Sequence, residues 1–93
     1  MKERDIERAL IKRVKEVGGE VRKVVWQGRR GAPDRLVLLP KKRRKARPLI
    51  FVELKAPKGK VSRLQALEHE ILARYGVRVV VVNSIEQIEE VIA

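Results

Sequence analysis

Asp34 and, nineteen residues further on, Glu53-Leu54-Lys55 are the residues whose types and spacing could do chemistry. Alternate residues of a strand share a face, so Glu53 and Lys55 point one way and Leu54 the other. Asp34 follows Gly31-Ala32-Pro33 directly and opens a second apolar run. If the two runs pair as a hairpin, Asp34 comes to lie near Glu53. Two carboxylates that close repel by about 4 kcal/mol at ~4 Å and an effective dielectric of ~20. A small domain does not bring them together for stability. A hard cation such as Mg2+ or Mn2+ removes the conflict, because it takes oxygen ligands in octahedral geometry. Such an ion can polarise a phosphate oxygen, lower the pKa of a bound water and stabilise a leaving oxygen. Lys55, on the same face, could orient or deprotonate that water, or stabilise charge on phosphorus. The ordinary alternative is an ion pair between Glu53 and Lys55, with Asp34 capping a turn. Context weighs against it: LIFVELK is an apolar strand, and charges entering such a strand need a reason.

The elements that must position these residues read in the order α-β-β-β-α-β-α. Ile6, Leu10, Val14 and Val17 recur at helical spacing, which predicts a helix over 3–17 ended by Gly18-Gly19. EVRKVVW (20–26) is a first strand, followed by the loop QGRRGAP. DRLVLL (34–39) is a second strand closed by Pro40, and LIFVELK (49–55) is a third. The basic turn KKRRKARP joins them as a hairpin. A second helix runs from Ser62 to about Tyr75, with Leu64, Leu67, Ile71 and Tyr75 as its apolar stripe and Gly76 as its end. Ser62 and Gln65 have capping-box spacing. VRVVVV (77–82) lacks alternation, as a strand covered on both faces would. Asn83-Ser84 starts a last helix, with Ser84 and Gln87 again at capping-box spacing, whose core face is Ile85, Ile88 and Ile92 with Val91 beside it. Strand three, helix two and strand four make a βαβ unit with parallel strands. The fold class is therefore α/β: a mixed four-stranded sheet flanked by helices, in one domain over residues 1–93.

The 93 residues carry 23 Lys and Arg against 12 Asp and Glu, a net charge of +11. That balance fits a polyanionic partner, because phosphate neutralisation releases counterions. Membrane binding would need an amphipathic helix with a uniformly basic polar face, and the helices here carry mixed charge. The chain has no cysteine, so disulfides and thiolate metal sites are excluded, and a reducing cytoplasm fits. The charged start MKERDIERAL does not read as a signal peptide. No apolar run approaches the roughly 20 residues of a membrane span.

GAPD, VELK and SRLQALEH together resemble the VRR-NUC domain, a compact branch of the PD-(D/E)xK nuclease superfamily with a restriction-endonuclease-like core. The resemblance runs from ERDIERALIKRV through GRRGAPDRLVLLP and FVELKAPKGKVSRLQALEHEILARYG to VVVVNSIEQ. It implies that Asp34 and Glu53 bind divalent metal, Mg2+ or Mn2+, with the Leu54 carbonyl as a further ligand, and that Lys55 is catalytic. The resemblance also implies a catalytic, metal-binding glutamate in the first helix, which matches Glu7, with Glu3 one turn earlier as a second candidate. On its helix alone Glu7 would be a solvated side chain. The family's active-site glutamine matches Gln65, which the resemblance makes a catalytic residue and which a capping box would also explain. His69, a lone histidine on a helix, reads as structural.

Arg29 and Arg30 flank the catalytic loop and are placed to hold phosphates. Lys58, Lys60 and Arg63 could continue that track, and Lys41, Lys42, Arg43 and Arg44 form a basic run at the hairpin tip. The only aromatics, Trp26, Phe51 and Tyr75, are too scattered for a base-stacking platform and read as packing. The expectation is a metal-dependent endonuclease acting on branched DNA. Stand-alone domains of this kind resemble Holliday-junction resolvases, which work as homodimers so that two sites cut two strands. Cleavage of flaps is the alternative within the class. Outside it stand a non-catalytic nucleic-acid-binding protein on the same fold and an RNA-processing nuclease of related fold with metal-independent chemistry.

Overall fold

The amphipathic spacing of the first segment does form a helix, α1 (Glu3–Glu16), which buries Ile6, Leu10 and Val14. The structure is a computed structural model that describes residues 1–43 and 49–93. After α1 come β1 (Glu20–Lys23), β2 (Arg35–Leu38), a 3-10 turn (Lys41–Arg43), β3 (Ile50–Leu54), α2 (Arg63–Arg74), β4 (Arg78–Val82) and α3 (Ile85–Ile92). The expected element order holds. The strands lie in the order β1-β2-β3-β4. The first two pairings are antiparallel and the β3–β4 pairing is parallel, as the hairpin and βαβ readings require.

Register decides what each face carries. Val37, Ile50, Val52, Leu54 and Val82 fall on one face and form the core with Ile6, Leu10 and Val14 of α1 and Ile88, Val91 and Ile92 of α3. Phe51 and Glu53 fall on the other face, beside Val79 and Val81 of β4, and α2 packs there. Both helix starts expected from Ser62 and Ser84 are capped as proposed. Ser62 Oγ accepts from Gln65 N at 3.1 Å, and Ser84 Oγ accepts from Gln87 N at 3.3 Å.

Four expectations about the elements need correction. Ile85, expected in the core face of α3, is 43% exposed, and Ile88, Val91 and Ile92 carry that face. β1 stops at Lys23 rather than reaching Trp26. After Val24 N donates to Asp34 O at 2.9 Å, the chain leaves the sheet. The Trp26 indole then donates to Pro33 O at 2.7 Å and tilts onto Phe51, ring centroids 5.4 Å apart. The supposed apolar stripe of α2 faces largely outward: Leu64 and Leu67 are each 48% exposed and Tyr75 is 81% exposed, and only Ile71 is half-buried. The helix packs instead through Gln65, Glu68, His69 and Leu72, also at helical spacing, of which Glu68 is buried. Finally, β4 is covered on both faces, by α2 and α3, as its lack of alternation predicts, but it lies at one edge of the sheet and is mostly half-buried, so the fully buried strand is β3. Runs of valine mark both situations, and only the pairing order separates them. Among the described residues no helix is long and apolar enough to cross a membrane.

Candidate active site

The register that pairs Arg35 with Val52 sets Asp34, one residue before β2, across from Glu53. The expected proximity of the two carboxylates thus follows from the hairpin itself. Glu53 is 7% exposed within an entirely buried strand. On α2, His69 Nε2 lies 3.2 Å from Glu53 Oε1 and donates there when it carries the proton. Burial pushes the Glu53 carboxyl above its ordinary pKa range. The His69 hydrogen bond and the charges of His69 and Lys55 pull against that, and Asp34 adds to it. Lys55 follows β3, and its backbone N–H donates to Val82 O at 3.0 Å, which carries the strand pairing one residue further. Alternation then keeps its side chain on the Glu53 face. Leu54 buries its side chain in the core, so its backbone carbonyl is the group it can offer a ligand.

The loop that delivers Asp34 is held at several points. Trp26 and Pro33 close its base. Arg29 forks onto Glu68, with Nε at 3.2 Å from Oε1 and Nη2 at 2.7 Å from Oε2. Gly31 has φ +80°, and a Cβ there would come within 2.8 Å of Leu64 O at the start of α2. The loop therefore rests directly on α2, and only glycine allows the approach.

The remaining residues divide. Gln65 is half-buried beneath the helix start, and its Oε1 accepts from Ser62 N at 2.9 Å, which leaves Nε2 to reach a ligand. Glu7 is half-buried on α1 and meets Arg35, which also meets Asp34. Glu3 is exposed. Arg29 ties the loop to Glu68 and is not a free cation, whereas Arg30, Lys58, Lys60 and Arg63 are exposed around the site end of the sheet. Lys41, Lys42 and Arg43 sit beyond the opposite end of β2 from Asp34, and the strand alone spans on the order of 13 Å at the rise per residue. The structure does not bring them to the carboxylates. Arg43 Nη1 donates to Ile92 O at 3.4 Å. Arg44 lies outside the described residues.

Arg35 and Glu68 were not singled out from the sequence. Glu68 did carry a signal, since it stands three residues after Gln65 and next to His69. Arg35 carried none, because its partner on α1 lies 28 residues away.

The donor set suits a hard divalent ion. Asp34 and Glu53 supply carboxylate oxygens without sulfur ligands, and the half-exposed Asp34 leaves one side open to water and phosphate. Among the described residues no three His, Cys, Asp or Glu side chains form a ready-made cage. Mg2+ does not require one, since it is commonly held by one or two carboxylates together with waters and substrate phosphates.

A four-stranded mixed sheet with two carboxylates and a lysine at the end of its buried central strand defines a restriction-endonuclease-like nuclease fold. The family model for the VRR-NUC domain matches residues 2–86, and the chain belongs to this family of nuclease domains. It is 43% identical over 84 residues to "Putative nuclease p44" of Acyrthosiphon pisum secondary endosymbiont phage 1, a match covering 90% of this chain and 85% of that protein. A solved structure described as a VRR_NUC domain superposes with a TM-score of 0.80 at 36% identity, over 97% of this chain and 92% of the other.

Proposed function

We infer that this nuclease is a Mg2+- or Mn2+-dependent endonuclease that cuts phosphodiester bonds in branched DNA, as a homodimer that resolves four-way junctions in the cytoplasm. The observation that carries the reading is Asp34 set across from a buried Glu53, with Lys55 two residues further along the same face. A bound divalent ion would supply charge stabilisation at the phosphate and a more acidic water. Asp34, Glu53 and the Leu54 carbonyl would hold it. His69 orients the Glu53 carboxylate toward that role. Lys55 stands where it can align the attacking water or meet charge developing on the phosphoryl oxygens. Gln65 Nε2 can hold a water or phosphate oxygen, while Arg30, Lys58, Lys60 and Arg63 grip the backbone on either side.

Recognition would be by backbone shape, through the exposed cations around the carboxylates. Symmetric cutting of two strands asks for two sites related by a two-fold axis. The outward stripe of Leu64, Leu67 and Tyr75 on α2 gives such a pairing an apolar surface beside the site.

The test is cleavage of labelled four-way junction, flap and linear duplex DNA, with Mg2+, Mn2+ or EDTA, by the unaltered chain and by Lys55→Ala. Paired, metal-dependent cuts in the junction, lowered at least about 100-fold in the variant, are expected for loss of an acid–base group. Equal cutting of all three substrates would remove the junction and keep the nuclease. Cutting in EDTA, or binding without cutting under every metal, would overturn the metal-dependent reading.

A further inference from the structure

Arg35 stands at the first position of β2, and its register with Val52 puts its side chain on the face covered by α1. Only 13% of that side chain is exposed. Its Nε and Nη2 meet one carboxylate oxygen of Glu7, on α1. Its Nη1 lies 2.9 Å from Asp34 Oδ1 and donates to the Asp34 backbone carbonyl at 3.4 Å. Burial works against a charge here, and the Glu7 and Asp34 carboxylates more than offset it, so the guanidinium is held protonated more firmly than usual. A guanidinium is planar and always charged, with its donors in a fixed fork. Its shape therefore sets the separation of the two carboxylates it joins.

We propose that Arg35 is a positioning residue that clamps Asp34 to α1, and that Glu7 serves the site through Arg35 rather than as an independent ligand. The proposal rests on the reading of Asp34 and Glu53 as metal ligands. Asp34 precedes its strand and its side chain is 51% exposed, so it is free to rotate unless something holds it. The clamp fixes one of its oxygens. Glu7 in turn fixes the clamp, because its helix is buried through Ile6 and Leu10 on either side. Two effects oppose each other at this point. A fixed ligand binds a cation more tightly than a mobile one, whereas a neighbouring guanidinium repels the cation. Positioning is the larger of the two.

Mn2+ titration calorimetry separates them, on the full chain and on Arg35→Gln, Arg35→Lys, Glu7→Gln and the Arg35→Gln/Glu7→Gln double variant. Thermal melts followed by circular dichroism establish that each is folded. Removing a group that orients a metal ligand costs about 10-fold or more in affinity, and that weakening is expected for Arg35→Gln. Arg35→Lys, which keeps the charge and loses the fork, should recover only a small part. Glu7→Gln should weaken binding alone and add nothing on top of Arg35→Gln. Should Arg35→Gln not fold, Glu7→Gln measured in the presence and absence of Arg35→Lys runs the same cycle.

Unchanged or tighter Mn2+ binding by Arg35→Gln would overturn the clamp. A Glu7→Gln effect that persists in full in the double variant would also overturn it, and make Glu7 a ligand in its own right. Either result leaves the metal reading standing, provided Asp34→Asn and Glu53→Gln abolish binding. An unaltered chain with no Mn2+ affinity would remove both.

Discussion

Glu53 occupies the position where chemistry and stability conflict. A carboxylate 7% exposed in a central strand, with a second carboxylate across from it, resists ionisation. His69 and Lys55 offset only part of the burial, and the carboxyl stays above its ordinary range. A folded state that raises an acid's pKa favours its neutral form. The stabilising contribution of that form is fully present below the unfolded carboxyl's pKa of about 4.3, and it is lost as pH rises through the raised value. At neutral pH without metal, ionising a carboxyl so placed therefore costs the folded state stability, a cost that the proposed metal-binding role would explain. Glu53→Gln should melt higher than the unaltered chain at pH 7.5 in EDTA, by on the order of a few degrees. The gap should close as pH falls below the ordinary carboxyl range. Differential scanning calorimetry across pH reads this directly. A lower melting temperature for the variant at pH 7.5 would mean that attraction to His69 and Lys55 outweighs burial.

At the scale of elements, α2 packs through its polar face. Gln65, Glu68 and His69 reach the capping box, the Asp34 loop and Glu53, while Leu64 and Leu67 face out. Glu68 is the buried member, and its pairing with Arg29 holds the loop against the helix. Glu68→Gln replaces a charge-assisted fork by a neutral contact, at a cost of about 1–3 kcal/mol. For a domain this size each kcal/mol lowers Tm by about 4–8 °C. Amide hydrogen exchange in residues 27–33 should quicken, and cleavage should fall although Asp34, Glu53 and Lys55 are intact. Exchange unchanged in that loop would show that Trp26 and Gly31 hold it without the ion pair.

The same helix shows what the sequence could and could not reveal. Its start was legible because Ser62 and Gln65 act locally. The hairpin was legible because two apolar runs flank one turn, and that alone placed Asp34 near Glu53. The packing face was not legible, because hydropathy reports which side chains are apolar and not which ones a functional site draws inward. Arg35 was invisible for a related reason: it neighbours Asp34 in sequence, yet its side chain belongs to the opposite face and answers to α1.

The net charge of +11 belongs to the whole molecule, but its cations are not equivalent. Arg29 and Arg35 are engaged by Glu68 and by Glu7 with Asp34, so they are not free for phosphate. Lys58, Lys60 and Arg63 are exposed between the end of β3 and the start of α2, next to Glu53 and Gln65. Lys41 and Lys42 are exposed too, but at the far end of the β2–β3 hairpin. A short branched substrate centred on the carboxylates should therefore release counterions mainly from the first group. Binding measured in EDTA by fluorescence anisotropy, at several salt concentrations, distinguishes the two groups without cleavage intervening. Each lost phosphate contact lowers the slope of log K against log salt by about 0.9. Lys58→Ala/Lys60→Ala/Arg63→Ala should accordingly flatten the slope by about 2–3, with Tm little changed because the positions are exposed. Lys41→Ala/Lys42→Ala should leave the slope on a short junction nearly unaltered and matter only when the arms are long enough to reach the far end. The reverse ranking would place the DNA path along the hairpin tip, across the sheet from the carboxylates, and would require the substrate to wrap the molecule.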